Sequence, residues 1–185
     1  MKRIFLLAGA LLLLAGVASA TTKQKWMAGH DNFNEPLNYS KSYVSWSVSG
    51  KTHKLTVTYA LVGATPGKVY QVDLMFFCTT FPPTFGQFPV VSGNPCQTVT
   101  RQGVTASVAF AEVGVVLTDI HGNGKFTVVI GPVASGTYNL EFRALDGAGA
   151  SLTGGAGNDG CGGDDENADF QSPGPFGTGT TITMP

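Results

Sequence analysis

From residue 43 onward the chain alternates between apolar and polar positions with a period of two. Val44, Trp46 and Val48 alternate with serines, and a second alternating run, 55–61, follows after a turn at Gly50. Two such runs joined by a Gly turn predict a hairpin of antiparallel strands. The same kind of pattern predicts six further strands, at 69–77, 104–110, 113–117, 126–130, 138–144 and 178–184.

A helical period is missing from the chain beyond its first twenty residues. Turn signals such as Pro66-Gly67 and His121-Gly122-Asn123-Gly124 separate the runs instead. Short strands punctuated by Gly and Pro turns are typical of a sandwich or barrel. The sequence therefore predicts an all-β fold, an antiparallel sandwich of about seven to eight strands that occupies residues 43–185.

Two segments do not follow the alternation. Residues 21–42 are predicted as an N-terminal arm with a short edge strand at Trp26. Residues 146–176 contain eight glycines between Gly147 and Gly163, followed by four acidic residues. Since Gly weakens strand interiors and offers nothing to pack, we predict a long, flexible Gly/Asp-rich loop before the last strand.

The first twenty residues have the layout of a secretory signal peptide. Lys2 and Arg3 precede an apolar stretch at 4–17, and Ala18-Ser19-Ala20 is a small-residue cleavage site. The apolar stretch has 14 residues, whereas a membrane-spanning helix needs about 20. We expect cleavage after Ala20, secretion to the periplasm or the extracellular space, and no membrane span in the mature chain.

Charge narrows the range of partners. The mature chain keeps nine Lys and Arg against twelve Asp and Glu, a net charge of -3. A nucleic-acid-binding protein would need a basic face, so a nucleic-acid partner is not expected. The expected partner is a protein or carbohydrate surface whose identity the sequence leaves open.

Two phrases in the chain resemble known secreted modules. Residues 118–126, TDIHGNGKF, followed by 136–142, GTYNLEF, are similar to the strand-and-turn pattern of Cna-B and carboxypeptidase-regulatory-like modules. Residues 55–76, with Pro66-Gly67 before Tyr70, resemble a corner of fibronectin type III modules. The resemblance implies an Ig-like sandwich. Independently of it, Tyr70 and Tyr138 each follow a small-residue turn and open a strand, which predicts that they bury their rings while their hydroxyls bond back to the turn backbone.

Three cysteines allow more than one pairing. An exported chain enters an oxidising space, where thiols pair. Cys78 and Cys96 flank a 17-residue segment, and we favour a bridge between them, worth roughly 3 kcal/mol through loop closure. Pairing of either one with Cys161 stays open.

The segment between these cysteines contains three phenylalanines that are candidates for ligand contact: Phe81, Phe85 and Phe88. Exposed apolar clusters mark interaction sites. The alternative, which we favour, is that the three rings fold back and cap one end of the sandwich.

Cofactor and metal chemistry is not expected from the sequence. Asp119 and Asn123, and separately Asp164 and Asp165, are weak calcium candidates, because Ca²⁺ prefers several carboxylates at fixed spacings that these segments lack. No cofactor motif or catalytic signature stands out. The sequence thus favours a secreted, non-catalytic protein with a binding, adhesion or structural role. The alternative is a secreted enzyme, or its accessory domain, acting on an extracellular polymer.

Overall fold

The computed structural model describes residues 20–29, 35–78, 96–101, 103–146, 170–174 and 176–185. Within these ranges the chain forms eleven strands and no helix. The strands are β1 (Thr21–Lys25), β2 (Met27–Ala28), β3 (Tyr43–Ser49), β4 (Lys54–Leu61), β5 (Val69–Phe77), β6 (Gln97–Arg101), β7 (Val104–Leu117), β8 (Gly124–Ile130), β9 (Gly136–Asp146), β10 (Phe170–Gln171) and β11 (Thr180–Met184). No helix long and apolar enough to cross a bilayer occurs in this part of the chain.

The smaller sheet, sheet A, has the strand order β1-β3-β4-β8, and every pair in it is antiparallel. Alternate side chains of a strand point to opposite faces. Trp46 of β3 and Val57 of β4 therefore point into the protein, while the Ser and Thr residues next to them in each strand point outward.

The larger sheet, sheet B, has the order β2-β10-β9-β5-β7-β6. The long β9 pairs with β11 along residues 136–140 and with β10 at residues 143–144. In the β5–β7 pair Val72 lies opposite Gly114 and Asp73 opposite Glu112, so Val113 is an extra residue in β7. This β-bulge joins the two strands predicted at 104–110 and 113–117 into one bent strand.

The two sheets form a sandwich around one large apolar core, which confirms the predicted all-β sandwich. Tyr59 and Phe142, from opposite sheets, meet edge to face at the centre, with ring centroids 6.2 Å apart. Trp46 packs on Phe142 from the other side at 5.0 Å. Burial of these large aromatic rings removes apolar surface from water and stabilises the packing of the two sheets.

The outward face of sheet B is also buried. Met75 and Phe77 of β5 belong to a second apolar cluster with Val99, Ala106 and Val108. Among these residues lies a buried ion pair: Arg143 donates to Asp73 through Nε, at 2.8 Å from Oδ1, and through its terminal nitrogen to Oδ2. The guanidinium of Arg143 also lies 4.5 Å from the ring centroid of Phe110.

Two tyrosines bond back to their turns, as predicted. Tyr138, near the start of β9, is buried and donates its hydroxyl to the carbonyl of Ala134, four residues earlier, at 3.0 Å. The hydroxyl of Tyr70 accepts the backbone N–H of Thr65 at 3.1 Å. Each tyrosine therefore fixes the turn that precedes its strand.

The N-terminal arm differs from its prediction. Trp26 does not lie in a strand; it lies between β1, which pairs with sheet A, and β2, which pairs with sheet B. Its indole is buried, stacks on Tyr59 at 6.0 Å and donates to the carbonyl of Ala60 at 3.1 Å. The arm thus crosses from one sheet to the other and closes part of the seam between them.

The predicted loop also contains one ordered element. Residues 170–171, within the segment 146–176, form β10, and Phe170 is fully buried against Tyr70 at 5.6 Å. Burial of the large Phe170 ring stabilises this short strand against β9. Residues 147–169 lie outside the described ranges.

Candidate functional site

The outward face of sheet A is exposed and combines lysines with hydroxyl groups; we call it the lysine–hydroxyl face. It consists of Lys23, Lys25, Lys54 and Lys125, the hydroxyl residues Thr21, Ser45, Ser47, Ser49, Thr56, Thr58 and Thr127, the ring of Tyr43 and the exposed Val129. All four lysines are solvent-exposed.

The strand register arranges these side chains in rows across four strands. One row is Lys23, Ser45, Thr58 and Thr127, and the next carries a lysine at each end, Lys25 and Lys125. Neighbouring strands lie about 4.8 Å apart, so the backbones of the two terminal lysines in that row are separated by roughly 14 Å. An extended ligand can therefore cross the face and meet a cation at both edges.

Contacts within the face order some of its groups. The ammonium of Lys23 lies 3.5 Å from the centroid of the Tyr43 ring, a cation–π contact. The hydroxyls of Thr58 and Thr127 are hydrogen-bonded to each other across β4 and β8 at 2.9 Å. Each hydroxyl keeps further donor or acceptor capacity toward solvent.

The charge on this face has one sign. The four strands of sheet A contain no Asp or Glu, whereas Asp73, Glu112 and Glu141 all lie in strands of sheet B. A negative net charge on the whole chain thus coexists with a locally positive surface. Such a surface attracts anionic ligands at a distance and loses that attraction in salt.

Sequence reasoning did not identify this site, although a signal was present. The outward positions of the runs at 44–48 and 55–61 are almost all Ser or Thr, and Lys54 and Lys125 continue the same alternation. Summing charge over the outward positions alone would have revealed the asymmetry. The contribution of Lys23 and Lys25 could not be found this way, because the arm has no period that would predict its pairing with β3.

A second polar cluster lies where β4 connects to β5; we call it the Glu35 network. The Glu35 carboxylate accepts hydrogen bonds from Thr65 and Tyr70, both at 2.8 Å, and forms an ion pair with Lys68. Burial raises the pKa of Glu35, but the hydrogen bonds from Lys68, Tyr70 and Thr65 outweigh burial and hold that pKa below its ordinary value.

The Glu35 network is suited to structure rather than to proton transfer. Burial, together with the hydrogen bond to Glu35, raises the pKa of Tyr70 to about 12. At neutral pH the carboxylate is therefore ionised and the phenol protonated. A general acid or base needs a pKa near the working pH, and these two groups are shifted away from it in opposite directions.

Replacing Glu35 by Gln is expected to lower the free energy of unfolding at neutral pH by about 1 kcal/mol. Because the folded-state pKa of Glu35 is lowered, its contribution is complete above the ordinary glutamate pKa of about 4.3 and is lost as pH falls through the lower folded-state value. Urea unfolding of wild type and variant between pH 3 and pH 7 measures the difference. If the difference in the free energy of unfolding between wild type and variant does not change with pH, the carboxylate charge does not contribute to it.

The calcium candidates in the β7–β8 turn are used by the turn itself. Oδ1 of Asp119 accepts the backbone N–H groups of His121 and Asn123 at 2.8 and 2.9 Å, and these two bonds lower the pKa of Asp119. The amide oxygen of Asn123 accepts the N–H of Gly63 at 3.3 Å. These oxygens stabilise the contact between the two turns at this end of the sandwich.

The other candidates named from the sequence have different outcomes. Cys78 and Cys96 form a disulfide, with Cα atoms 6.4 Å apart, which confirms the favoured pairing. Phe81, Phe85 and Phe88 lie outside the described residues, as do Asp164 and Asp165. Their suggested roles in ligand contact and calcium binding stay predictions.

Comparisons with known proteins give a likeness to a solved structure. No family model matches the sequence, and no curated protein matches it. A solved structure described as "pH-induced modulation of Streptococcus parasanguinis adhesion by Fap1 fimbriae" is similar, with 13% identity, 84% of this chain and 95% of that chain covered, and a TM-score of 0.31. The site is accordingly interpreted from the residues of this chain.

Proposed function

We propose that this protein is a secreted, non-catalytic binding module and that its lysine–hydroxyl face binds an anionic polysaccharide. The observation that carries the proposal is the combination of four exposed lysines and seven Ser and Thr hydroxyls on the outward face of sheet A, whose strands contain no carboxylate. Lysines attract carboxylate or sulfate groups, and Ser and Thr hydroxyls exchange hydrogen bonds with sugar hydroxyls.

An extended polymer fits this face better than a small anion does. The lysines are spread along the sheet edges and rows rather than converging on one point, so no compact anion can contact all of them. A small-molecule site is usually concave and mostly apolar, unlike this surface. A polymer gains affinity by repeating weak contacts along its length.

Export to an oxidising compartment is part of the proposal. The cleavage pattern at Ala18-Ser19-Ala20 is typical of secretion, and a disulfide such as Cys78–Cys96 persists in oxidising compartments. In these compartments acidic polysaccharides are common surface components, whereas nucleic acids are not the usual ligands.

We also infer that the sandwich is Ig-like. The order β8-β4-β3 facing β7-β5-β9-β11 corresponds to strands E-B-A facing C′-C-F-G of Ig-like domains. Tyr138 near the start of β9 corresponds to the tyrosine corner of strand F. A sandwich of this kind serves many unrelated functions, so the proposed binding role rests on the residues of the lysine–hydroxyl face.

The proposal predicts binding to hyaluronan, a polymer of alternating uronic acid and N-acetylhexosamine, and no binding to neutral dextran. Replacing Lys23 and Lys125 together by Ala is expected to weaken hyaluronan binding about tenfold, since each exposed charge contact is worth roughly 0.5–1 kcal/mol. Isothermal titration or biolayer interferometry of the mature, disulfide-bonded protein measures this affinity.

Lys41→Ala is the matched control, because Lys41 is exposed in the turn before β3 and lies outside the strands of sheet A. Its affinity is expected to change less than about twofold. Raising NaCl from about 0.1 M to about 1 M shortens the Debye length from about 10 Å to about 3 Å and should abolish most binding. Equal losses of hyaluronan affinity in the control and the double variant would contradict specific binding by the lysine–hydroxyl face.

A further inference from the structure

Strand β8 forms one edge of sheet A. Among the strands that the structure describes, it pairs with β4 alone, in an unbroken register from Gly124 to Ile130. The backbone N–H and C=O groups of alternate β8 residues therefore point away from β4. An edge of this kind binds another extended chain unless its own sequence prevents the pairing.

The sequence of β8 does little to prevent pairing. Prolines and bulges keep strand edges apart, and the seven residues of β8 contain neither. Their one charge, on Lys125, lies near the start of the strand. Val129 on the outward face is 57% exposed, and the inward Phe126 and Val128 are only half-buried. β8 therefore presents apolar side chains on both faces along its backbone edge.

Three other strand edges are better protected. β1, at the opposite edge of sheet A, carries Lys23 and Lys25 among five residues, and lysines discourage edge pairing. The second half of β7 follows the bulge at Val113. β11 is bonded to β1 through Thr180 and Gln24. Of these four edges, β8 is the one best suited to bind a further strand.

The residues of β8 are complementary to a second copy of the same strand. Paired residues of two strands point to the same face, so a twofold axis perpendicular to the sheet must pass through a residue. Thr127 is the central residue of β8. An axis through Thr127 therefore pairs two antiparallel copies along their whole length, from Gly124 to Ile130.

This register brings compatible side chains together. Phe126 lies opposite Val128 of the second copy on the inward face, and Lys125 lies opposite Val129 on the outward face. Aromatic and β-branched residues form favourable cross-strand pairs. The two Lys125 residues are separated by roughly 14 Å between backbones, so the register opposes no like charges.

We propose that this protein forms a twofold-symmetric dimer through antiparallel pairing of β8 with β8 of a second copy. The two copies of sheet A then form one eight-stranded sheet with both lysine–hydroxyl faces on the same side. The row from Lys23 to Thr127 continues into the second copy and ends at its Lys23, roughly 34 Å away between backbones. The dimer thus presents one continuous surface of twice the width.

Sedimentation equilibrium of the mature, disulfide-bonded protein tests the dimer. Wild type is expected to dimerise, and Val129→Lys should raise the dissociation constant of the dimer about tenfold. The substitution places a lysine opposite Lys125 of the second copy, and the twofold axis creates this repulsive pair twice. A wild type that remains monomeric at millimolar concentration would overturn the proposal.

Thr21→Lys is the matched control. Thr21 lies in the same row as Val129 but on β1, at the opposite edge of sheet A. The control therefore adds the same charge to the same face and should change the dissociation constant less than about twofold. Equal weakening by both substitutions, or none by Val129→Lys, would contradict pairing through β8. Melting temperatures like that of wild type show that both variants are folded.

Cysteine cross-linking tests the register, in a chain that carries Cys161→Ser so that no other thiol is available. Opposed residues of antiparallel strands have Cα atoms about 4.5–5.5 Å apart, within reach of a disulfide. Mild oxidation is expected to link two copies of the Thr127→Cys variant. It should not link Val129→Cys, whose two copies lie roughly 14 Å apart. Dimers that cross-link only through Val129→Cys, or through neither variant, would overturn the proposed pairing.

The dimer does not depend on the proposed function. Neither sedimentation nor cross-linking uses a glycan, so a failure to bind hyaluronan leaves both results valid. A monomeric wild type that binds hyaluronan would overturn the dimer and leave the proposed function standing.

Discussion

Replacing Asp73 by Ala is expected to lower the free energy of unfolding by about 3–5 kcal/mol, because the substitution removes the carboxylate that accepts hydrogen bonds from Nε and a terminal nitrogen of the buried Arg143 guanidinium. The side chains of Arg143 and Asp73 are only 1% and 3% exposed, so water cannot replace the lost partner. The backbone carbonyl of Asp73 accepts the hydroxyl of Tyr59 at 3.0 Å, and this bond remains in the variant. The effect therefore reports on the carboxylate itself.

A double variant distinguishes the cost of breaking the buried ion pair from the contribution of the intact pair to stability. Asp73→Leu with Arg143→Met removes both charges and keeps apolar volume between β5 and β9, which are paired at this position. Exchanges of this kind are often neutral or stabilising, so the double variant should recover most of the loss seen in Asp73→Ala. Urea unfolding at neutral pH measures the free energy of unfolding of wild type, of Asp73→Ala and of the double variant. A double variant as unstable as Asp73→Ala would show that the pair contributes more than it costs to bury.

The ion pair also shows where sequence reasoning stops. The run at 69–77 was predicted correctly as a strand, with Tyr70, Val72, Leu74 and Phe76 on one face. The other face of the same strand, from Gln71 to Phe77, is buried too. Alternation predicts which residues share a face, but it cannot predict that the second face is also covered, since covering depends on segments distant in sequence.

The candidate site was predictable only in part. The outward Ser and Thr positions of β3 and β4 follow directly from the alternation, and so does Lys125 on β8. The contribution of Lys23 and Lys25 does not, because it depends on the pairing of β1 with β3, and the arm that contains β1 has no period. The two short strands β2 and β10 were missed for a related reason: two residues carry no period.

Trp26 connects the stability of the fold to the proposed binding face. It is the buried residue between β1 and β2, while the strand on its N-terminal side carries Lys23 and Lys25. The side chains of β1 are mostly exposed, so the strand is held by its backbone pairing with β3, by the Lys23–Tyr43 contact, by a hydrogen bond from Thr180 to Gln24 and by the buried Trp26, which anchors it. Elements with few buried contacts open locally at low free energy. Loss of the anchor should therefore release β1 before the rest of the sandwich unfolds.

Trp26→Ala is expected to lower the free energy of unfolding by about 3–5 kcal/mol, through the cavity over Tyr59 and the lost bond to the Ala60 carbonyl. Amide hydrogen exchange should accelerate strongly in β1 and change little in β4, measured where the variant is still folded. The affinity for hyaluronan should fall as well, because Lys23 and Lys25 are no longer held beside β3 in this variant. Trp26→Phe keeps an aromatic ring and is the control, with smaller losses of stability and affinity. Unchanged β1 exchange in Trp26→Ala would mean that pairing with β3 alone holds the strand, and the binding face would then be independent of the arm's anchor.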